Sequence, residues 1–503
     1  MPRLMPSSDH LPHALYRAAQ VRELDRAVIE DHGIRGAELM QRAGRAAYRL
    51  LRRHWPHARN ITVVCGVGNN GGDGYVLARH ARMDGLSIRV LQLGDQDRLQ
   101  GDARTMAIAH AEAGGTVEPF ERLPLRTDVI VDAILGTGLE REVAGTWAEA
   151  ICVINAHPAP VFAIDIPSGL HSDLGQILGV AVHAQATISF IGLKQGMFTG
   201  AGADCCGEIH FDALHIPAVV YSREVLSARR LDRTKGCGLL GRRPRSSNKG
   251  SFGHVLVVGG APGYSGAARL AGEGALRTGA GLVTVATHPD HAAHLNLTRP
   301  ELMCHGVSEP SDLEPLLERA TVVAIGPGLG RSAWSKGLLG HILGSELPLV
   351  VDADALNLLA ASRQVRDDWV LTPHPGEAAR LLGTETTSVQ ADRFGSVRRL
   401  QERFGGVAVL KGAGTLIYGP SRKPPGVCDG GNPGMATAGT GDVLTGMIAA
   451  LIAQGLGPED AACSGVCLHA AAGDAAAESG ERGLLAGDLL DNIRPQVNSG
   501  AES

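Results

Sequence analysis

Two strings in this chain have the residue types and spacing that phosphate binding needs. The first runs from the β-branched segment Ile61-Thr-Val-Val-Cys65 into Gly66-Val-Gly-Asn-Asn-Gly-Gly-Asp-Gly74. Glycines let backbone N–H groups come close to a ligand, and a helix starting near Asp73 would add unpaired donors and partial positive charge. The literal G-x-G-x-x-G match is weak alone, and Asp95 is a poor fit for the acid of a dinucleotide fold. Asn69, Asn70 and Asp73 add amides and a carboxylate that a plain phosphate loop does not need. The second string is Gly430-Gly-Asn-Pro-Gly-Met-Ala-Thr-Ala-Gly-Thr-Gly-Asp442. Here Gly439-Thr-Gly441 leads into a helix expected to begin near Asp442. Its first N–H groups would form an anion hole, and Asp442 could take a proton from an acceptor hydroxyl. Helix capping is the bland alternative for Asp442, as strand-to-helix turning is for the glycine run.

Other candidates sit at strand ends. Val129-Ile-Val-Asp132 and Val161-Phe-Ala-Ile-Asp165 each end in a carboxylate. Asn70, Asp132 and Ser168 offer hard oxygens that suit a cation. Lys194 is one of only six lysines. It either places a positive charge in the same cleft or lies on the surface. Lys411, in Leu410-Lys-Gly-Ala-Gly-Thr415, stands between two strands where nucleotide phosphates could lie. Thr372-Pro-His-Pro-Gly-Glu377 fixes His374 between two prolines, for ligand contact or for structure. Cys463, Cys467 and His469 fall in an Ala-rich helical stretch and read as core rather than as a metal site.

The elements that must position these residues alternate. Short apolar runs such as Ile61–Cys65, Ser87–Leu93, Val161–Ile164, Val255–Val258 and Val322–Ile325 are each followed by Gly-rich punctuation and a helical pattern. That rhythm predicts parallel sheets covered on both faces. It stops between Leu226 and Asn248, where the chain is basic and polar. The expected organisation is therefore an α/β domain over 1–228, a linker over 229–245 and a second α/β domain over 246–503, each a three-layer αβα sandwich. The chain has 503 residues, of which 44% are hydrophobic and 20% charged, with a formal net charge of −5. These values exclude a wholly disordered chain and a nucleic-acid binder working through bulk positive charge. No apolar run reaches the ~18 residues of a membrane span. There is no signal-peptide pattern, and nine scattered cysteines suggest reduced thiols, so a cytoplasmic protein is expected.

The strings Glu38-Leu-Met-Gln-Arg-Ala-Gly, Gly68-Asn-Asn-Gly-Gly-Asp-Gly, Asp132-Ala-Ile-Leu-Gly-Thr-Gly and Asp165-Ile-Pro-Ser-Gly resemble the YjeF N-terminal family of NAD(P)H-hydrate epimerases, over roughly residues 14–225. The resemblance implies a Rossmann-like fold, bound potassium and a hydrated nicotinamide dinucleotide as substrate. It places Asn69, Asn70, Gly71, Gly72 and Asp73 at the dinucleotide, together with Gly136, Thr137, Gly138, Leu139, Glu140, Arg141 and Glu142. It places potassium on Asn70, Asp132 and Ser168, and Asp165 at the reacting ring. The second half, roughly 235–495, is similar to the ribokinase-like ADP- or ATP-dependent NAD(P)H-hydrate dehydratases. That resemblance puts Ala267, Gly328, His374 and Asp442 at the hydrate. Lys411, Gly412, Ala413, Gly414, Thr415 and Gly441 then hold the adenine nucleotide.

The resulting expectation is a bifunctional repair enzyme for hydrated NADH and NADPH, with Asp442 and Asp165 as its catalytic carboxylates. Potassium and magnesium are its ions, ADP or ATP its co-substrate, and a homo-oligomer its assembly, with no nucleic-acid or membrane partner. Three alternatives share parts of the pattern. The second domain could be a kinase of a small alcohol, and the first a plain dehydrogenase domain or a binding module without chemistry.

Overall fold

A computed structural model describes residues 10–231, 239–362 and 364–498. The chain divides into two units, with the division between Arg229 and Arg230. The expected linker begins inside a short strand, Ala228–Arg230, and its residues 232–238, Cys237 included, lie outside the described residues.

In the first unit, seven parallel strands lie in the spatial order Val117–Pro119, Ser87–Gln92, Asn60–Cys65, Val129–Ala133, Val161–Ile164, Ala186–Phe190 and Glu208–Asp212. Side chains alternate between the faces of a strand. Accordingly Ile61, Val63, Val129 and Val131 pack in one core, and Val64 and Ile130 in another on the opposite face. Two apolar faces need a helical layer on each, which gives the three-layer architecture. Chain order reverses between Asn60–Cys65 and Val129–Ala133, so a crevice opens beyond the carboxyl ends of those two strands. The helix after the glycine run starts at Asn69, four residues earlier than the sequence suggested. Close packing explains why glycines are drawn into its first turns. A Cβ on Gly71 would stand 2.1 Å from the Gly66 carbonyl oxygen.

A small ladder supports the same crevice. Ala14–Tyr16 pairs antiparallel with Ala228–Arg230 and parallel with Leu193–Lys194, setting Tyr16 beside Lys194. The helix Ala18–His32 follows at once and brings Asp25.

The second unit repeats the plan. Its strands lie in the order Met303–Gly306, Leu282–Thr287, His254–Val258, Val322–Ile325, Leu349–Val351, Trp369–Leu371, Val407–Leu410, Thr415–Tyr418 and Gly426–Cys428. All neighbours are parallel except the last two pairs. The order again reverses, between His254–Val258 and Val322–Ile325. The helix Thr440–Ala453 lies in the core with the helix Ser265–Thr278. No Cβ fits at Gly446, which would meet the Ala271 carbonyl oxygen at 1.8 Å. Among the described residues, no helix is long and apolar enough to cross a membrane.

Candidate active sites

Asp165 directly follows its strand in the left-handed region, at φ 68°, with its N–H bonded to the Ile188 carbonyl at 2.7 Å. This is a costly conformation for a residue with a Cβ, and such strain is held where surrounding structure fixes it. Lys194 is fully buried and donates to Asp165 Oδ1, to Ser189 Oγ at 2.9 Å and to the Phe190 carbonyl at 3.4 Å. The surface reading of Lys194 is therefore excluded. The other carboxylate oxygen, Oδ2, looks toward Gly136, where an added Cβ would lie 3.7 Å from it and 3.4 Å from the Asn70 Cβ. Two further carboxyls feel this pair. Burial pushes Asp73 well above the usual range, as do the charges of Asp165 and Asp25, against the opposing Lys194. Burial likewise pushes Asp25 up to about 6. Asp25 was not anticipated, since on a surface helix it reads as an ordinary polar position.

Asp132 ties two loops together. Its Oδ2 accepts from the Ser168 N–H at 2.7 Å, and its Oδ1 accepts from Ser168 Oγ at 2.6 Å and the Ile134 N–H at 3.2 Å. Burial raises its pKa to about 6, against those hydrogen bonds. Asn70 Nδ2 donates to the Leu135 carbonyl at 3.0 Å, while its buried Oδ1 has no hydrogen-bond partner. The Leu135 carbonyl also accepts from Ser168 Oγ at 3.2 Å, so the orphaned acceptor belongs to the same loop cluster as the Asp132 carboxylate and the Ser168 hydroxyl, residue types that could hold a hard cation. Thr137 and Leu139 are half-buried in the adjoining loop, while Gly138, Glu140, Arg141, Glu142 and Asn69 are exposed. Asp95 caps the turn Gln96–Arg98 through the Asp97 N–H.

In the second unit the helix Thr440–Ala453 begins two residues before the expected start, with Gly439 as its cap at φ 94°. Asp442 is in the first turn. Burial and then the charges of Asp352 and Asp354 raise it to about 7, with Lys411 opposing. Lys411 Nζ bonds Asp352 Oδ1 at 2.7 Å, and Thr445 Oγ1 donates to Asp352 Oδ2 at 2.7 Å. Burial works against the Lys411 charge, but Asp352, Glu377 and Asp442 outweigh it and its pKa is raised. Gly441 leaves room for the lysine, since an added Cβ would be 3.3 Å from Nζ.

His374 serves as the cap of the helix Pro375–Leu382: its Nδ1 accepts from the Gly376 N–H at 3.0 Å. The proton therefore sits on Nε2, which lies 3.3 Å from Glu377 Oε1. Burial lifts Glu377 to about 7. His374 is thus structural through one nitrogen and half-exposed at the other side. Gly328 and Ala267 are brought together, because an added Cβ on Gly328 would meet the Ala267 Cβ at 3.2 Å. The Gly328 loop is fixed by the Gly330 N–H bonding Asp354 Oδ2 at 2.9 Å, and Ala267 belongs to the helix Ser265–Thr278. The hairpin Gly412-Ala413-Gly414 turns on Arg393, a buried guanidinium reaching the carbonyls of Leu410, Lys411 and Gly414 at 3.3–3.4 Å. Thr415 Oγ1 closes that turn on the Gly412 carbonyl at 3.0 Å.

Sequence reasoning missed Asp352, Thr445 and Arg393. Asp352 had a usable signal, since it directly follows the apolar strand Leu349–Val351, as Asp165 follows Val161–Ile164. Of the three residues read as core, His469 and Cys467 are buried and Cys463 is half-buried against the same core, and the imidazole Nε2 also meets the Thr440 carbonyl at 2.9 Å.

Comparison with known proteins agrees in both halves. The family described as YjeF-related protein N-terminus matches residues 36–196, and the NAD(P)H-hydrate dehydratase family matches residues 255–495. The bifunctional NAD(P)H-hydrate repair enzyme Nnr of Coxiella burnetii is 50% identical over 487 residues, covering 96% of this chain and 99% of the relative. The chain belongs to the bifunctional NAD(P)H-hydrate repair enzymes. The Escherichia coli member is 44% identical, covering 97% of this chain and 95% of its own. Among solved structures, a ribokinase-like superfamily protein from Enterococcus faecalis is 31% identical with a TM-score of 0.51, covering 55% of this chain and 98% of that one. The repair-enzyme family thus has here a Rossmann-like N-terminal domain and a ribokinase-like C-terminal domain.

Proposed function

We propose that this chain repairs hydrated NADH and NADPH, with epimerisation around Asp165 and dehydration around Asp442. The supporting observation is that each motif carboxylate lies in the field of one of the few lysines: Asp165 is paired directly with Lys194, and Asp442 feels the charge of Lys411, which is itself bonded to Asp352. Family membership favours repair over a small-alcohol kinase, a dehydrogenase domain or an inert binding module.

The hydrate bears a hydroxyl on C6, next to the ring nitrogen, and hydroxide leaves poorly. In the second domain Asp442 takes the hydroxyl proton as the oxygen attacks the terminal phosphorus of ADP or ATP, and the bond to AMP or ADP breaks. The N–H groups of the first helical turn face the transferred group, and Lys411 holds nucleotide phosphate. Phosphate then leaves C6, pushed by the nitrogen lone pair. Loss of a proton from C5 restores the dihydropyridine. Ala267, Gly328 and His374 border the hydrate, and Gly412 to Thr415 with Gly441 border the nucleotide. Magnesium, when bound with the nucleotide, offsets phosphate charge.

In the first domain the ring nitrogen expels the C6 oxygen and water returns on the other face. Asp165 exchanges the proton through Oδ2 while Lys194 fixes Oδ1. Asn69 to Asp73 and Gly136 to Glu142 border the dinucleotide. Asn70, Asp132 and Ser168 fit potassium, which would supply fixed positive charge beside the phosphates.

The test is incubation of both NADH-hydrate epimers with the protein, magnesium, potassium and ADP or ATP, following dihydronicotinamide absorbance. Full recovery with stoichiometric phosphate supports both reactions. Recovery that stops at one epimer, beyond slow spontaneous epimerisation, removes the first. No recovery removes the repair reading.

A further inference from the structure

A group of side chains outside both sites has the geometry of a metal centre. The helix Gly36–His54 ends at His54. Its end is rigidly held. The Trp55 N–H bonds the Leu51 carbonyl at 2.9 Å, and the Trp55 ring packs edge-on to Phe162 with centroids 5.9 Å apart. The Arg52 guanidinium clamps the following turn through the carbonyls of Ala58 and Pro56, at 2.8 and 2.9 Å. Opposite lies Glu208–Asp212, the edge strand of the first sheet. Glu208 and His210 are two residues apart on it, so both side chains project from one face.

Three donor atoms converge there. His54 Nε2 and His210 Nε2 are 2.9 Å apart, His210 Nε2 and Glu208 Oε1 are 3.2 Å apart, and His54 Nε2 and Glu208 Oε1 are 3.9 Å apart. A tetrahedral ion with bonds of about 2.0–2.1 Å to nitrogen and oxygen sets its ligands roughly 3.3 Å from one another. The observed triangle brackets that spacing, so an ion needs no rearrangement of the backbone. It is also the only group of three or more His, Cys, Asp or Glu residues with this convergence among the described residues. Two imidazoles and one carboxylate suit zinc and the late first-row divalent cations, whereas magnesium demands octahedral oxygen. Glu208 pairs with Ala186 at the amino-terminal start of both strands, whereas the catalytic loops follow carboxyl ends. The triad is thus separate from the epimerase site.

We propose that His54, Glu208 and His210 bind one zinc-class divalent cation, with water in the fourth position. The ion cross-links the end of a long helix to the open edge of the sheet. The site's role is to hold that edge, and it takes no part in hydrate chemistry.

The experiment uses full-length protein freed of metal with a chelator and titrated with Co²⁺. One equivalent should develop the visible d–d bands of a four-coordinate nitrogen and oxygen site. Zn²⁺ should displace it, and a large excess of Mg²⁺ should not. His54→Ala and His210→Ala should each weaken binding by at least about 100-fold. Zn²⁺ should raise the Tm of the wild-type chain but of neither variant. If either alanine variant fails to fold, the near-isosteric Glu208→Gln gives the same comparison. Octahedral Co²⁺ spectra, a thiolate charge-transfer band, or binding unchanged in these variants would overturn the proposal.

Discussion

Asp352 is hydrogen-bonded to Lys411 at 2.7 Å and is itself almost fully buried, so the lysine carries a fixed counter-charge, and both charges act on Asp442. Burial raises the Asp442 pKa most, the like charge of Asp352 adds to it, and Lys411 lowers it. A general base works only when deprotonated, so dehydratase kcat/KM should fall as pH drops below about 7. Asp352→Asn keeps an acceptor for Lys411 but removes the charge, and should move that acid limb to lower pH. Lys411→Met should move it to higher pH and raise the KM for ADP or ATP. Shifts of the same sign in both variants would disprove the electrostatic assignment.

Asp442 also has a stability consequence. Its folded pKa of about 7 stands above its ordinary 3.8, and burial gives Glu377 the same direction, about 7 against 4.5. The folded state therefore keeps protons that the unfolded state has released. These groups favour folding at low pH, and that contribution is lost as pH rises through the interval to about 7. Asp442→Asn should lower dehydratase kcat by about 10²–10⁴-fold. The same change should raise the C-terminal domain's Tm at pH 8 by about 2–4 °C per kcal/mol of relieved charge burial, with little effect at pH 4. Thermal scans without nucleotide at the two pH values check this.

Among the described residues, Lys194 is the cation that opposes burial and the Asp165 charge at both Asp25 and Asp73. Lys194→Met leaves three carboxyls without it. Removing one partner of a buried pair costs about 3–5 kcal/mol, so the N-terminal domain should unfold at a lower temperature. Adding Asp25→Asn should recover part of the loss. Epimerisation should disappear in Lys194→Met while the competent epimer is still dehydrated. A progress curve would then show a fast phase followed by one at the spontaneous rate. A monophasic curve like the wild type's would remove Lys194 from the epimerase site.

What the sequence made legible was local. Asp132 stands near the end of a strand, Asp165 directly after one and Asp442 after a glycine run, and that local context is what singled them out. The three-layer architecture followed from short apolar runs alternating with helical patterns. The start of the helix at Asn69 was misjudged because glycine is a poor helix former, and only the contact with Gly66 shows why it belongs there. Short edge strands such as Val117–Pro119 and Glu208–Asp212 have too few apolar residues to stand out. Thr445 within an apolar helix and Arg393 within a charged one gain their meaning from partners tens of residues away. His54 and His210 are separated by 156 residues, and no spacing rule joins them.

The oxygen cluster at Asn70 gives a prediction of a different kind. Its Oδ1 is buried without a partner, and an unmet acceptor in a protein interior costs about 1–3 kcal/mol. A hard cation bound there would meet that acceptor and also offset the burial that lifts Asp132 to about 6. Replacing potassium with tetramethylammonium, which is too large to be ligated, should therefore lower the N-terminal Tm and slow epimerisation together. Asn70→Ala removes the orphaned oxygen, so its Tm should no longer respond to potassium. Asp132→Asn should lose the response as well, because the amide cannot supply the charge although it preserves the bond from the Ser168 hydroxyl. Titrating potassium against epimerisation rate and Tm in the three proteins separates the cases. A wild-type Tm indifferent to potassium would mean that the cluster binds no ion, and that Asn70 and Asp132 serve only to join the two loops.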